Sequence, residues 1–159
     1  MVVMFKPGMP APDFTATLDD GSQFHLASYH GDKNVVLYFY PKDFTAGCTK
    51  EACAFRDNYD EIGRYDAIIV GVSGDSESSH GSFRERHHLP FPLIADTDRD
   101  LITLYQARGL FGMTARVTYV IDKQGIIRAA LRHDLLVGRH VPEVVRTLEV
   151  IEAASGHAV

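Results

Sequence analysis

The sequence predicts an α/β domain with a central mixed β-sheet flanked by helices. Two apolar runs carry that expectation, Asn34-Val-Val-Leu-Tyr-Phe-Tyr40 and Ala67-Ile-Ile-Val-Gly-Val-Ser73. Neither alternates polar with apolar, so each reads as a strand covered on both faces. A stretch with helical spacing follows each run. At 159 residues, the chain suits one domain over 1–159, large enough to bury a core without a covalent or metal staple.

Taken in order, the first dozen residues carry Pro7, Pro10 and Pro12 and are expected to run extended. Residues 14–18 and 23–26 flank Asp19-Asp20-Gly21, a β-hairpin signal. The strand at 34–40 comes next. Across 45–65, Cys48, Ala52, Phe55, Tyr59 and Ile62 recur at steps of four, three, four and three, the apolar stripe of one helix with Thr45 at its N-cap. After the strand at 67–73, residues 76–88 read as a helix capped by Asp75 or Ser76 and ended by Leu89 before Pro90. Residues 93–95 make a short strand and 100–106 a short helix. Arg116-Val-Thr-Tyr-Val-Ile-Asp122, the turn Lys123-Gln124-Gly125 and residues 126–131 form a second hairpin. Residues 141–154 close the chain as a helix, with Pro142 tolerated in the first turn and Gly156 past the end. That order is the order of a thioredoxin-like fold with an extra N-terminal β-hairpin.

Composition removes several function classes. Sixteen basic residues against 21 acidic ones give a net charge of −5 without a Lys/Arg cluster, so no nucleic acid partner is expected. The longest apolar run, seven residues from Val35 to Pro41, is far short of the roughly 20 that a membrane span needs. The opening Met1-Val-Val-Met-Phe-Lys-Pro-Gly8 has no basic flank before a long apolar stretch, so no signal peptide is read and a cytoplasmic, reducing compartment is expected. In that setting two cysteines are structural thiols, metal ligands or redox groups.

Position bears on the choice. Cys48 falls three residues after Thr45, in the first helical turn, where unpaired backbone N–H groups favour a thiolate. It also lies on the apolar stripe, and a small buried hydrophobe remains the competing reading. Cys53, five residues on, is about 7.5 Å up the helix and roughly 140° around it, on a face shared with Thr49, Arg56 and Asp60 and expected to meet solvent. Two sulfurs so placed cannot bond while the helix is intact. The spacing is neither that of a dithiol reductase nor that of a zinc pair, and no second Cys/His pair completes a metal site. No metal and no cofactor are expected. Pro41 and Thr45 lie in the loop between strand and helix, at the strand end where α/β sites gather. Pro41 ends the strand or shields a sulfur, and Thr45 caps the helix or hydrogen-bonds a ligand. Arg116 is a solvated charge or, beside a thiolate, a group that polarises a peroxide O–O bond.

Pro41-x-x-x-Thr45-x-x-Cys48 resembles the active-site motif of the peroxiredoxin family, and the wider run from Tyr38 to Cys53 resembles its Q-type (bacterioferritin comigratory protein) subgroup. The similarity extends from about Pro7 to Glu149 and includes Pro12-Asp-Phe14, Gly71-Val-Ser-Gly-Asp-Ser76, Leu89-Pro-Phe-Pro-Leu93 and Arg116-Val-Thr-Tyr-Val-Ile-Asp122. The resemblance implies a peroxidase acting on hydrogen peroxide and organic hydroperoxides. Cys48 would be the peroxidatic nucleophile and Cys53 the resolving cysteine, with Thr45 and Arg116 holding the peroxide and Pro41 covering the sulfur. It further implies an intramolecular disulfide recycled by thioredoxin or a similar dithiol protein. A resolver on the same chain makes a monomer sufficient. Ala46 stands where the subgroup has proline, which eases opening of the helix, and Phe44 is expected to make the pocket mouth more apolar. The segment 107–115 is short against relatives. The competing class is a non-enzymatic peroxide sensor using the same cysteines, set apart by whether reductant is consumed in step with peroxide.

Overall fold

A computed structural model of the chain describes residues 4–134 and 137–155, so the glycine expected past the last helix, Gly156, lies outside the described residues. Strands β1 (Thr15–Thr17) and β2 (Gln23–His25) pair antiparallel as a small N-terminal sheet. The main sheet contains β3 (Asn34–Phe39), β4 (Ala67–Ser73), β5 (Leu93–Ala95), β6 (Val117–Ile121) and β7 (Ile127–Arg132). Its order is β5-β4-β3-β6-β7, with β3, β4 and β5 parallel and β6 and β7 antiparallel to their neighbours. The helices are α1 (Ala46–Asp57), α2 (Tyr59–Gly63), α3 (Glu77–Arg86), α4 (Asp100–Leu104) and α5 (His140–Ala154).

β3 is the middle strand, and its unbroken apolar run follows from its having no wet face. Val36, Tyr38 and Tyr40 point into one core with Cys48, Phe55, Ile62, Phe83 and Leu148, under α1, α2, α3 and α5. Val35, Leu37 and Phe39 point into the other, covered by Phe24, Leu26, Leu101, Ile102 and Tyr105 from the N-terminal hairpin region and α4. The two-residue period of a strand divides the run between the two layers. This is a thioredoxin-like α/β arrangement with an added N-terminal two-stranded sheet.

Several expectations change. The single helix over 45–65 is two helices. The break falls at Asn58, whose φ of −111° and ψ of 14° leave the helical region and whose side-chain amide donates to the Ala54 carbonyl. Tyr59, expected on the buried stripe, is 36% exposed as a result, whereas Ile62 returns to the core. Ser76 does cap α3, accepting from the Ser79 N–H, but the helix stops at Arg86, before Leu89, and His88 turns left-handed. The turn at Gly125 needs glycine twice over. Its φ is +77°, and a Cβ there would stand 2.6 Å from the His30 ring.

Candidate active site

The loop from β3 to α1 leaves the C-terminal end of the central strand, beside the start of β6. Pro41 follows β3, Thr45 occupies the N-cap of α1, and Cys48 sits in the first turn of α1, 1% exposed in the core beneath the sheet. The expected side-chain cap is absent. Thr45 has the extended backbone of an N-cap, but its hydroxyl donates to the Lys42 carbonyl at 2.8 Å and no side chain caps the helix. Orphan N–H groups at that end therefore remain available to a negative charge, which the macrodipole also favours.

Arg116, immediately before β6, is 9% exposed, so it is not the solvated charge that a lone strand-end arginine suggests. Its guanidinium packs against Gly47, one residue before Cys48. A Cβ at Gly47 would stand 2.7 Å from Nη2. Asp134 accepts the Arg116 backbone N–H at 3.0 Å and takes an ion pair from Arg132, which fixes the start of the strand. Nη1 of Arg116 donates to Oε1 of Glu51 at 3.3 Å. Glu51 is buried, and burial pushes its carboxyl up to about 8 against the pull of the neighbouring guanidinium. Its second oxygen faces Nε2 of His140 at 3.5 Å. Burial likewise drives His140 down to about 4, so the ring is neutral. Thr118 Oγ1 lies 2.7 Å from His140 Nδ1, and Nε2 faces the His133 carbonyl. Neutral His140 thus satisfies both by accepting from the hydroxyl and donating to the carbonyl.

A second buried network pins the loop from the other side. Asp43 accepts from the Tyr40 hydroxyl at 2.6 Å, from the Ser79 hydroxyl and from His80 Nδ1 at 2.7 Å. Its backbone N–H donates to Asp75, and His80 Nε2 reaches the Ile94 carbonyl. The two ring nitrogens of His80 thus face the Asp43 carboxylate on one side and the Ile94 carbonyl on the other. These bonds hold the loop so that Phe44 keeps φ at 64°, a conformation costly for a bulky residue.

Pro41 and Arg116 meet at a cavity of about 370 Å³, lined also by Leu110, Met113, Ala115 and Arg132. Neither Cys48 nor Thr45 lines it. Phe44 does not line it either. Its ring packs edge-on against Phe83 at 5.2 Å, so the apolar character of this opening comes from Leu110 and Met113 rather than Phe44. Both belong to the 107–115 segment, a short loop with Phe111 at 97% exposure.

Cys53 is half-buried rather than on a wet face, because the end of α3 covers it. Its Sγ lies 4.0 Å from His87 Nδ1. No disulfide is formed and both cysteines are free. Sequence reasoning missed Glu51, Asp43, His80, His87 and His140. Glu51 left a signal, a carboxylate three residues after Cys48 on the buried side of the helix. The others act through pairings between distant parts of the chain.

Residues 7–130 match the AhpC/TSA family. Peroxiredoxin Bcp of Bacillus subtilis (strain 168) is 42% identical over 149 residues, spanning 89% of this chain and 94% of that protein. Peroxidoxin BcpB from Mycobacterium tuberculosis superposes with a TM-score of 0.86 at 32% identity, over 94% of this chain and 99% of that one. The bacterioferritin comigratory protein of Xanthomonas campestris, studied for alkyl peroxide reduction through trapped intermediate and ligand complexes, gives 0.81 at 30% identity over 87% and 91%.

Proposed function

The chain belongs to the AhpC/TSA family and is a thiol peroxidase, and from that premise we propose that Cys48 attacks the peroxide and Cys53 resolves the product. One observation carries the reading. The Arg116 guanidinium lies on Gly47, beside a cysteine in the uncapped first turn of a helix. Cationic donors and orphan N–H groups converge there on the place where sulfur and peroxide oxygen would carry negative charge.

In the first step the Cys48 thiolate attacks the terminal oxygen of ROOH and displaces the oxygen bonded to R. An S–O bond forms, the O–O bond breaks, and the departing alkoxide or hydroxide takes a proton to leave as alcohol or water. Arg116 holds the peroxide and steadies the leaving oxygen. The Thr45 hydroxyl keeps its own proton on Lys42 and offers its oxygen to the peroxide O–H. Pro41 shields the sulfur from water. The first turn of α1 then unwinds and Cys53 condenses with the sulfenic acid, giving an intramolecular disulfide and water. Thioredoxin or a similar dithiol protein reduces the disulfide, and the turn re-forms.

Hydrogen peroxide and organic hydroperoxides are both substrates in this reading, and the apolar Leu110 and Met113 at the cavity favour the organic class. With the resolver on the same chain, the protein works as a monomer. No helix among the described residues is long and apolar enough to cross a membrane. The cycle needs a dithiol reductant, which a cytoplasmic location supplies.

Thioredoxin-dependent peroxide consumption by wild type, Cys48→Ser and Cys53→Ser tests the assignment. Cys48→Ser should abolish turnover and Cys53→Ser should stop recycling after one equivalent of peroxide. Consumption by Cys48→Ser at the wild-type rate overturns it.

A further inference from the structure

Cys53 does not stand alone on its helix, and what it faces is a base. Its Sγ is 4.0 Å from Nδ1 of His87, the residue that caps the C-terminal end of α3. One turn beyond Cys53, Arg56 Nη1 donates to the His87 carbonyl at 2.7 Å, so α1 and the end of α3 are tied together at this point. The Phe83 ring meets the imidazole edge-on at 5.1 Å and fixes its plane. On the reading that Cys53 is the resolving sulfur, we propose that His87 is a catalytic residue of the second step, the base that takes the Cys53 thiol proton as the disulfide forms.

The charge environment suits that role. Burial holds His87 below the ordinary histidine range, and the charges of Arg86, Arg56 and His88 push the same way. The ring is therefore neutral near pH 7 and, with its own proton on Nε2, presents a lone pair from Nδ1 to the thiol. The anchoring also determines which cysteine moves. Phe55 and Arg56 hold the last turn of α1, one turn beyond Cys53, to the core and to His87, whereas the turn carrying Cys48 lacks a side-chain cap. Unwinding from the N-terminus brings Cys48 to Cys53 while Cys53 stays on its base.

The Cys53 S–H bond breaks and its proton passes to His87 Nδ1. The sulfur forms the S–S bond to Cys48, and the S–O bond of the sulfenic acid breaks with its electron pair on oxygen. The departing hydroxide takes that proton from the imidazolium, directly or relayed through solvent, leaving water and neutral His87. Cys48 is reduced from the sulfenic to the disulfide level and Cys53 is oxidised to it.

Rapid quenching with alkylating reagent after one equivalent of peroxide, followed by mass spectrometry, resolves Cys48 oxidation from disulfide formation in one trace. His87→Gln should lower the rate of disulfide formation, relative to Cys48 oxidation, by about a hundredfold or more, the scale of a lost general base. In wild type the disulfide rate should rise as His87 loses its proton and then level off near neutral pH, whereas in the variant, where only spontaneous thiolate can attack, it should keep climbing with pH. Free imidazole should restore the rate in His87→Ala, which a purely structural role does not allow. The wild-type profile alone decides the matter should the variants fail to fold: a disulfide rate that keeps climbing with pH instead of levelling overturns the proposal. So does disulfide formation at the wild-type rate in His87→Gln, or a slow rate that ignores imidazole. A wild type that forms no Cys48–Cys53 disulfide refutes the resolving role itself and His87 with it. One that forms it, beside an unaffected variant, refutes His87 alone.

Discussion

Arg116 packs against the residue before Cys48 only because residue 47 has no side chain. The close approach of Nη2 to the Gly47 backbone leaves no room for a methyl group, while the backbone there is not in the left-handed region and has no need of glycine for its own sake. Gly47→Ala is therefore a probe of position rather than of folding. The guanidinium, being the far end of a flexible side chain, can yield with little cost in stability. We expect kcat/KM for peroxide to fall by about a hundredfold, the effect of a displacement near 1 Å at a reacting centre. Unfolding in urea should shift little. A variant as active as wild type would mean that the guanidinium on Gly47 is not the one that handles peroxide. Glu51 is the counterweight at this scale, since it holds Arg116 Nη1 from the next turn of the same helix that carries Cys48.

Helix α1 has to be firm enough to position Cys48 and weak enough at its start to release it. Ala46, exposed at the first helical position, replaces a residue type that stiffens such a start, and Thr45 directs its hydroxyl away from the helix. Ala46→Pro tests the point cleanly. Thr45 already has φ −78° and ψ 153°, the conformation a following proline demands, and the first helical N–H needs no intrahelical partner. A compatible proline stabilises by about 0.4–1 kcal/mol, so the opened population and the rate of disulfide formation should fall about two- to fivefold. An unchanged rate in rapid-quench measurements would place the opening elsewhere. This is also the scale at which the sequence was most legible. The unalternating run of β3 announced a strand with two dry faces, and the stripe from Cys48 to Phe55 announced α1. The break at Asn58 was hidden because Ile62 continues the same spacing, and only the amide bond back to Ala54 ends the helix. Cys48, Cys53, Thr45, Arg116 and Pro41 could be singled out from motif and position. The Glu51–His140 and Asp43–His80 pairings could not, since a contact between residues far apart in the chain leaves no periodicity behind.

Across the whole molecule, the buried charges beside the site link stability to pH. Glu51 titrates at about 8 when folded against an ordinary 4.5, so the folded state retains a proton that the unfolded chain has lost in that window. Stability conferred by this proton is lost as pH rises from 4.5 to 8. His140 behaves oppositely, at about 4 against 6.5: the unfolded chain takes up a proton first, and stability is lost as pH falls from 6.5 to 4. The two oppose each other below 6.5, leaving Glu51 alone above it. Urea denaturation of wild type should show declining stability from pH 6.5 to 8, and Glu51→Gln should flatten that slope. An unaltered slope would assign the dependence to another group. Both networks flank the start of α1, which carries Cys48, and in the proposed cycle this start opens once per turnover. Intact-mass and peptide spectrometry of the reduced protein after one equivalent of peroxide, without reductant, tests that claim most directly. The expected product is a monomer two hydrogens lighter, with the Cys48 and Cys53 peptides joined within one chain. A covalent dimer, or Cys48 oxidised while Cys53 remains a free thiol, would contradict it.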